Sequence, residues 1–267
     1  MNFLHIWAIV LRQFYLMRSN YSRIISLFLW ITVDIFLWGF LTHYLNKITK
    51  PEFDFVQLLL GAILFWDFFT RIMHGVAMGF LEDVWSRNFV NLFCSPILLW
   101  EYLAGLLLSS LIIGSIALCI MSYIACFVFN LKLLNYGFMI FYFLIVLFIF
   151  GISLGILSIS VILRFGPSAE WVIWPLPAVI SPFAGIFYPV EILPGWMQFI
   201  SRVLPASYIF ESLRTIVLSK PVSILNFPLS FLLALIYLGI CWFIFYLTYN
   251  YCLKTGLFAK YSAENIS

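Results

Sequence analysis

Three ionisable side chains interrupt the long apolar runs of this sequence. Asp34 lies midway along the first run, and Asp67 and Arg71 lie four residues apart in the second. A spacing of four places Asp67 and Arg71 on one face of a helix, where they can pair. Ionisable groups at membrane depth face a bundle interior or a wet cavity, as structural pairs or as parts of a pathway. For Asp67 and Arg71 we favour the structural pair, and for Asp34 a buried hydrogen-bonded acid and a pathway or proton-coupling residue both stay open.

A second chemical pattern is GISLG, Gly151 to Gly155, which matches the G-x-S-x-G motif of serine hydrolases. That motif needs a strand–turn–helix elbow with a histidine and an acid nearby, whereas Ser153 lies in the middle of a long apolar run. The same letters form a small-xxx-small pattern, which lets two helices approach closely. GVAMG, Gly75 to Gly79, is a second pattern of this kind. We predict that both are packing surfaces.

The remaining motifs of enzymes and nucleotide-binding proteins are missing from the sequence. It contains no Gly-Lys pair and therefore no phosphate-binding G-x-x-x-x-G-K-[ST] loop, and it has no H-E-x-x-H zinc motif. We therefore predict no catalytic residue, no metal site and no cofactor site, so any ATP that drives this protein must bind to another chain. The net charge of +3, with scattered basic residues, argues against a nucleic-acid partner.

Composition decides the class of protein that must hold these residues. Apolar residues make up 64% of the chain and charged residues 9%, whereas soluble proteins carry about 25% charged residues. A membrane-crossing helix needs about 20 apolar residues. We predict an all-α integral membrane protein of one domain, 1–267, with six transmembrane helices. The predicted spans are 24–45, 55–80, 98–129, 138–163, 171–188 and 229–251.

Two amphipathic stretches flank these spans. In residues 1–23, one arc carries the polar side chains of Asn2, His5, Arg12, Gln13 and Ser19. We predict a helix lying flat in the membrane interface with its arginines toward anionic headgroups, and the alternative is a polar lead-in to the first span. The loop after the second span is also amphipathic and is stopped by Pro96. It is either a bare loop or a helix that docks a cytoplasmic partner. Its candidate residues are Glu82, Asp83, Trp85, Arg87, Asn88 and Phe89.

Two regions of the chain resemble the membrane subunits of type-2 ATP-binding-cassette exporters. The first follows the amphipathic loop with Ser95-Pro96, then Glu101-Tyr102-Leu103 and Gly105. The second contains the family's "FYP…LPGW", "LP" and "E.LR" patterns. These are Phe187-Tyr188-Pro189, Leu193-Pro194-Gly195-Trp196, Leu204-Pro205 and Glu211-Ser212-Leu213-Arg214. The resemblance extends over essentially the whole chain in length, span count and order. At 86–88 the loop departs from the glycine-containing run of many members, so the resemblance does not name a substrate.

The resemblance implies a re-entrant helical hairpin on the outer side, between spans five and six. Two short helices, 194–204 and 206–219, would use prolines as starts and stops, because broken backbone is tolerated at membrane depth only beside protein or water. The implied gate residues are Pro189, Pro194, Gly195, Trp196, Pro205, Glu211 and Arg214. For Glu211 and Arg214, a local pair and a gate contact both stay open. The implied divisions are an interfacial helix 1–23, spans 24–188, hairpin 189–225, span 229–251 and a cytoplasmic tail 252–267.

The resemblance also implies how the protein works. Two copies would form a homodimeric pathway in a prokaryotic cytoplasmic membrane, and two ATPase subunits holding ATP and Mg would dock on the 82–95 coupling helices and the N-terminal helix. The arginine bias favours cytoplasmic termini. The cargo would be a lipid-linked glycan, a lipid or an amphiphilic drug. The alternative function is an ion- or proton-coupled secondary transporter that uses Asp34 and the Asp67–Arg71 pair.

Overall fold

The structure is a computed structural model that describes residues 2–19, 21–48, 54–86, 88 and 95–255. Every regular element in these ranges is helical. The first half contains α1 (Phe3–Ser19), α2 (Tyr21–Ile48), a π-helical turn (Val56–Leu60), α3 (Gly61–Trp85), α4 (Leu99–Phe129) and α5 (Met139–Phe165). The second half contains α6 (Glu170–Ile173), α7 (Leu176–Ile180), α8 (Gly195–Val203), α9 (Pro205–Val217) and α10 (Asn226–Thr255). Short 3-10 turns lie at Leu133–Tyr136, Gly166–Ala169 and Val190–Ile192.

Five helices of the described ranges are long and apolar enough to cross a membrane. They are Phe28–Ile48, Val56–Trp85, Leu99–Phe129, Met139–Phe165 and Asn226–Thr255. These helices coincide with five of the six predicted spans, so the prediction of an all-α, multi-pass membrane protein is confirmed.

The predicted span 171–188 differs from the other five. Its helical part, Glu170–Ile180, is divided at Trp174–Pro175 into α6 and α7, and turns follow from Ser181. Even as one continuous helix, the eleven residues Glu170–Ile180 would rise only about 16 Å, roughly half of a hydrocarbon core. Pro175, Pro177 and Pro182 lack the N–H group that helix continuation needs, so they break the segment that we predicted as one span. The continuous fifth span is therefore corrected to two short helices.

The long helices α3, α5 and α10 run in the same direction. Phe65 of α3 packs on Phe143 of α5. Phe69, about one turn further along α3, packs on Phe150, about two turns further along α5. At the start of α10, the Phe227 carbonyl accepts a hydrogen bond from the Tyr142 hydroxyl at the start of α5. We call the end where these helices begin the hairpin end, because α8 and α9 pack there, and the opposite end the loop end. Because α5 ends at the loop end and α10 begins at the hairpin end, segment 166–225 must run from the loop end back to the hairpin end.

Helix α3 forms the centre of the bundle, and glycines allow its neighbours to approach. A Cβ atom at Gly151 of α5 would lie 3.1 Å from Ile72, and one at Gly155 would lie 2.9 Å from Val76. On the α4 side, a Cβ at Gly75 would lie 2.5 Å from the Ser110 hydroxyl. Ser153 lies inside α5, buried, and donates to the Ile149 carbonyl at 2.6 Å. The packing prediction for GISLG and GVAMG is thus confirmed.

Candidate functional site

A buried carboxylate joins three helices at the loop end. Asp83, in the last turn of α3, is fully buried. It accepts a hydrogen bond from the Tyr102 hydroxyl of α4 at 2.6 Å and forms an ion pair with Arg12 of α1. A buried charge is tolerated when a counterion and hydrogen bonds satisfy it, as here. Asp83 therefore fixes α1 and α4 to the end of α3.

A second carboxylate, Glu101 of α4, lies next to Tyr102 in the sequence and holds the first residues of the chain. Glu101 is 2% exposed and accepts hydrogen bonds from the Asn2 backbone N–H at 2.6 Å and from His5 Nδ1 at 2.7 Å. It also accepts the Leu98 backbone N–H at 3.3 Å, which caps α4. A Cβ atom at Gly105 would lie 2.5 Å from the Ile9 Cβ, so α1 contacts the backbone of α4 directly. Carboxylates and close packing together attach α1 along α4.

This attachment changes the expected role of the N-terminal helix. We expected the arginines of α1 to face headgroups, but Arg12 faces Asp83. On the same arc His5 faces Glu101, and Gln13 is buried beside Gly79. The expectation for Arg12 is therefore wrong, because its guanidinium pairs inside the protein with an acid 71 positions further along the chain.

The predicted coupling residues divide into two groups. Glu82, Asp83 and Trp85 belong to the last turn of α3 rather than to a separate helix, and only Trp85 of these is exposed. Arg87 and Phe89, and with them most of the predicted 82–95 helix, lie outside the described residues. A turn contains Asn88, before residues 89–94, which lie outside the described residues. Another turn contains Ser95 and Pro96 after them, and Glu101 caps the helix α4 that follows.

The three intramembrane charges meet in one cavity. It has a volume of about 570 Å³ and lies between α1, α2, α3, α4 and the α6–α7 junction. Asp67 and Arg71 form the predicted ion pair, and Asp34 faces the same space from α2. His74 and Glu82 line it closer to the loop end. Within the described ranges, no group of three His, Cys, Asp or Glu side chains could hold a metal ion.

At the hairpin end, side chains donate hydrogen bonds to backbone carbonyls beside the helix boundaries that the prolines set. The Ser207 hydroxyl donates to the Leu204 carbonyl at 2.9 Å, and the Tyr208 hydroxyl donates to the Arg202 carbonyl at 2.8 Å. Before α8, Gln198 donates to the Leu193 carbonyl at 2.8 Å. Burial raises the pKa of the Tyr208 phenol, although nearby Arg202 opposes this, so the phenol stays a donor at neutral pH. The α8–α9 hairpin therefore carries its own hydrogen-bond partners.

Glu211 and Arg214 connect α9 to the irregular segment before α8. They form an ion pair at 2.6 Å, and Arg214 also donates to the Gly185 carbonyl at 2.8 Å. Glu211 accepts the Val190 backbone N–H at 2.9 Å. Gly185 has a φ of +72°, in the left-handed region that favours glycine. The pair is thus local, as one alternative held, and it also positions residues 185–190.

The other predicted gate residues mark helix boundaries. Pro194 precedes α8, which begins at Gly195, and Pro205 is the first residue of α9. Pro189 begins the turn Val190–Ile192, and Trp196 is 65% exposed. The two short helices predicted at 194–204 and 206–219 are confirmed at Gly195–Val203 and Pro205–Val217, while their placement in a membrane stays a prediction.

Sequence reasoning missed several residues of these sites. Tyr102 is the partner of Asp83, His74 lies in the charged cavity, and Ser207 and Gln198 satisfy the hairpin carbonyls. The sequence contained a signal for Ser207, because a serine hydroxyl two positions after a proline that begins a helix can donate to a backbone carbonyl of the preceding turn. Tyr102 and His74 offered none, because their partners are distant in sequence.

The comparison with protein families decides what kind of protein has this architecture. Residues 5–218 match the family model described as ABC-2 type transporter. The chain belongs to the ABC-2 type transporter family. The search of curated proteins gives no significant match. As an ABC-2 type protein, the chain is a membrane component of a transporter, and its family implies a partner chain with an ATP-binding cassette.

Proposed function

We propose that this ABC-2 type chain is the pathway-forming permease of an ATP-driven exporter, acting as a homodimer with two ATPase subunits. The family match over residues 5–218 carries the proposal. The chain itself holds no phosphate-binding loop, so ATP and Mg belong to the partner. The proposed location is a prokaryotic cytoplasmic membrane.

The loop end is the proposed docking surface for the ATPase. Trp85 is 47% exposed at the end of α3, directly before segment 86–97. Beside it, the buried Asp83 ties α1 and α4 to α3. A displacement of this segment would therefore move three helices together rather than one. In this proposal Trp85, Glu82 and segment 86–97 contact the ATPase, while Asp83 transmits the motion without touching the partner.

The proposed topology has six passages with both termini in the cytoplasm. The parallel directions of α5 and α10 support it, since segment 166–225 must pass from the loop end to the hairpin end between them. In this proposal α6, α7 and the turns to Tyr188 make the fifth passage. The hairpin of α8 and α9 then re-enters from the outer side and covers the exit.

The charged cavity is the observation that favours the second candidate, an ion- or proton-coupled secondary transporter. It places Asp34 opposite the Asp67–Arg71 pair. The two functions differ in their energy source. Transport in the first stops when the ATPase is inactivated, whereas transport in the second persists and follows an ion gradient.

Reconstitution tests the first function directly. The chain is co-purified with the ATPase encoded beside it, and native mass spectrometry measures the stoichiometry, with two copies of each expected. ATP hydrolysis by the complex, and none by the permease alone, is the second expected result. Permease that purifies without any ATPase and transports in ATP-free vesicles would overturn the proposal in favour of the secondary transporter.

A matched pair of tryptophan variants locates the docking surface. Trp85→Ala should reduce recovery of the ATPase with the permease, because an exposed aromatic anchor is lost. Trp196→Ala, at the opposite end of the bundle, should not. Equal recovery with both variants would place the docking surface elsewhere.

A further inference from the structure

The charged cavity contains an unpaired donor that neither ATPase docking nor the hairpin explains. The cavity volume of about 570 Å³ lies within the range of small-molecule sites. Gln13 of α1 lines the cavity and is 9% exposed, and its amide Nε2 has no hydrogen-bond partner among the described residues. Buried polar groups are normally satisfied, so an unpaired amide on the wall of such a cavity indicates an occupant.

The cavity wall has further hydrogen-bonding capacity, both as donors and as acceptors. Arg71 pairs with Asp67 through its Nε atom, and no described residue accepts a hydrogen bond from its Nη1 and Nη2 atoms. Asp34 faces the same space from α2 and accepts no hydrogen bond from the described ranges, although it interacts electrostatically with Arg71. The Thr70 and Ser109 hydroxyls donate within their own helices, so their oxygens can still accept. An occupant therefore meets donors and acceptors together.

This mixture of donors and acceptors determines the polar part of the occupant. A hydroxyl group donates one hydrogen bond and also accepts, so neighbouring hydroxyls can bond Asp34 and Arg71 at once. A cation beside Asp34 would also meet the positive charge of Arg71, and an anion beside Arg71 would meet the negative charges of Asp34 and Asp67. Like charges repel more strongly where water is partly excluded. The wall therefore favours an uncharged hydroxylated group over an ion of either sign.

The other walls of the cavity are apolar and reach the surface of the bundle. Their residues are Met17, Met78, Ile113, Trp30 and Trp174. Trp30 and Trp174 are 61% and 52% exposed, so the cavity opens between α2 and the α6–α7 junction. Trp30 belongs to the membrane-crossing helix Phe28–Ile48, so a hydrocarbon chain at this opening stays out of water. Water alone could satisfy the Gln13 amide, but it would gain nothing from the apolar walls.

We propose that this cavity binds an uncharged amphiphile with a hydroxylated head group. The hydroxyl groups bond Gln13, Arg71 and Asp34, and the hydrocarbon chain passes through the opening between Trp30 and Trp174. The binding site stands independently, whereas the further statement that such a molecule is the exported cargo rests on the proposed function. In that role the cargo narrows to neutral lipids and glycolipids and excludes charged drugs.

Ligands with the same chain and different head groups test the site. The purified full-length chain is kept in a detergent without hydroxyl groups, and saturable binding of radiolabelled monooleoylglycerol is measured. Its unlabelled competitors are methyl oleate, which has no hydroxyl, the anion oleate and the cation oleylamine. We expect monooleoylglycerol to bind at least about tenfold more tightly than each competitor, because it alone bonds donors and acceptors without meeting a like charge. The absence of saturable binding, or a competitor that binds as tightly, would overturn the proposal.

Leucine variants assign the hydroxyl contacts to this cavity. Gln13→Leu removes the unpaired amide and Asp34→Leu removes the carboxylate, and each should weaken monooleoylglycerol binding by about five- to tenfold. Binding of methyl oleate, which does not need these groups, should change by less than about twofold. Gln57→Leu is the matched control, because Gln57 is also buried with an unpaired amide atom but lies in the π-helical turn, outside this cavity. If Gln13→Leu and Asp34→Leu both bind monooleoylglycerol as the control does, the proposal is wrong.

A tryptophan variant tests the path of the hydrocarbon chain. Trp174→Leu removes ring area at the opening, while its indole N–H is bonded to Glu170 and takes no part in the proposed head-group contacts. It should weaken binding of monooleoylglycerol and methyl oleate alike, by about threefold or more, because both chains lose apolar contact. Unchanged binding of both ligands would overturn the placement of the chain between Trp30 and Trp174.

The binding assay uses no ATPase, which separates this inference from the proposed function. If monooleoylglycerol binds in the cavity but the complex does not export it, the site is supported and its role in export is contradicted. A complex that hydrolyses ATP and exports another cargo, while monooleoylglycerol fails to bind, overturns the cavity proposal alone. Loss of methyl oleate binding in Gln13→Leu would show a disturbed fold, and Asp34→Leu then carries the same test.

Discussion

Arg12 and Asp83 show how a single ion pair organises the loop end of this protein. Asp83 is fully buried, while the Arg12 side chain is 25% exposed. Replacing Arg12 by alanine leaves the Asp83 carboxylate with only the Tyr102 hydroxyl, and an uncompensated buried charge is costly. We expect Arg12→Ala to destabilise the protein by about 2–3 kcal/mol. The measurement is the midpoint of thermal unfolding in detergent, followed by tryptophan fluorescence.

Arg18 supplies the matched control for this first prediction. It lies on the same helix but is exposed, and surface charges contribute little. Arg18→Ala should leave the unfolding midpoint near that of the unchanged protein. Identical midpoints for the Arg12 and Arg18 variants would mean that the pair does not hold α1 to α3.

Arg214 makes a second contact of this kind, at the hairpin end. Replacing it by methionine removes the donor to the Gly185 carbonyl and the partner of Glu211. We expect residues 183–193 to open more often, because Arg214 holds Gly185 directly and orients Glu211, which holds Val190. Hydrogen–deuterium exchange of a peptide covering these residues should be faster in Arg214→Met. Arg202→Met removes an exposed arginine nearby and should leave the exchange unchanged, and faster exchange in both variants would contradict the assignment.

Residues that are neighbours in sequence were predictable, and residues joined across the fold were not. The Asp67–Arg71 pair followed from a spacing of four in one helix, and the structure has it. Asp83 was a candidate for contact with a cytoplasmic partner because it lies in the amphipathic stretch after the second predicted span, yet it pairs with Arg12 and Tyr102 inside the protein. No local pattern reports a partner 71 positions away, since the fold alone brings α1 against α3.

At the scale of elements, the α8–α9 hairpin depends on side-chain donors at its central break. Ser207 is 4% exposed and donates to the Leu204 carbonyl across the turn. Ser207→Ala removes the hydroxyl that bonds both the Ser201 and the Leu204 carbonyls across the turn, and the loss of this buried hydrogen bonding should cost about 1 kcal/mol. Ser201→Ala is the control, because Ser201 is also buried but its hydroxyl bonds the Met197 carbonyl within its own helix and spans no turn. Thermal unfolding of the two variants compares them, and an equal loss would show that burial rather than the turn decides.

The boundaries of elements followed from the sequence wherever proline or glycine fixed the backbone. Pro194 and Pro205 placed the two hairpin helices within two residues of their observed ends. The same residue type led to an error at Pro175 and Pro177, where an apolar run of suitable length indicated a continuous span. Hydropathy describes the surroundings of a segment, whereas the missing N–H groups decide whether a helix continues. The run of apolar residues was therefore a poorer guide than its prolines.

At the scale of the whole molecule, helix direction determines the number of passages. Cys252 at the end of α10 donates to the Leu163 carbonyl at the end of α5, at 3.2 Å, and Arg164 lies 4.0 Å from the centre of the Tyr251 ring. The two helices thus end together as well as begin together. Two parallel helices that cross a bilayer need a return passage between them, whatever its secondary structure. In the proposed topology segment 166–225 supplies this passage, although its helices are too short to be recognised as a span.

Cysteine labelling tests this topology on a cysteine-free background. Single cysteines replace Ile192 and Ile224, which flank the hairpin, and Phe165, which ends α5. All three positions are exposed, at 71%, 82% and 67%. A membrane-impermeant maleimide applied to intact cells should modify positions 192 and 224, because both lie on the outer side in the proposed six-passage arrangement. It should modify position 165 only after the membrane is permeabilised, because α5 ends on the cytoplasmic side. Labelling of positions 165 and 192 from the same side of the membrane would mean that residues 166–191 do not cross it. A fifth passage could then not explain why α5 and α10 pack in parallel.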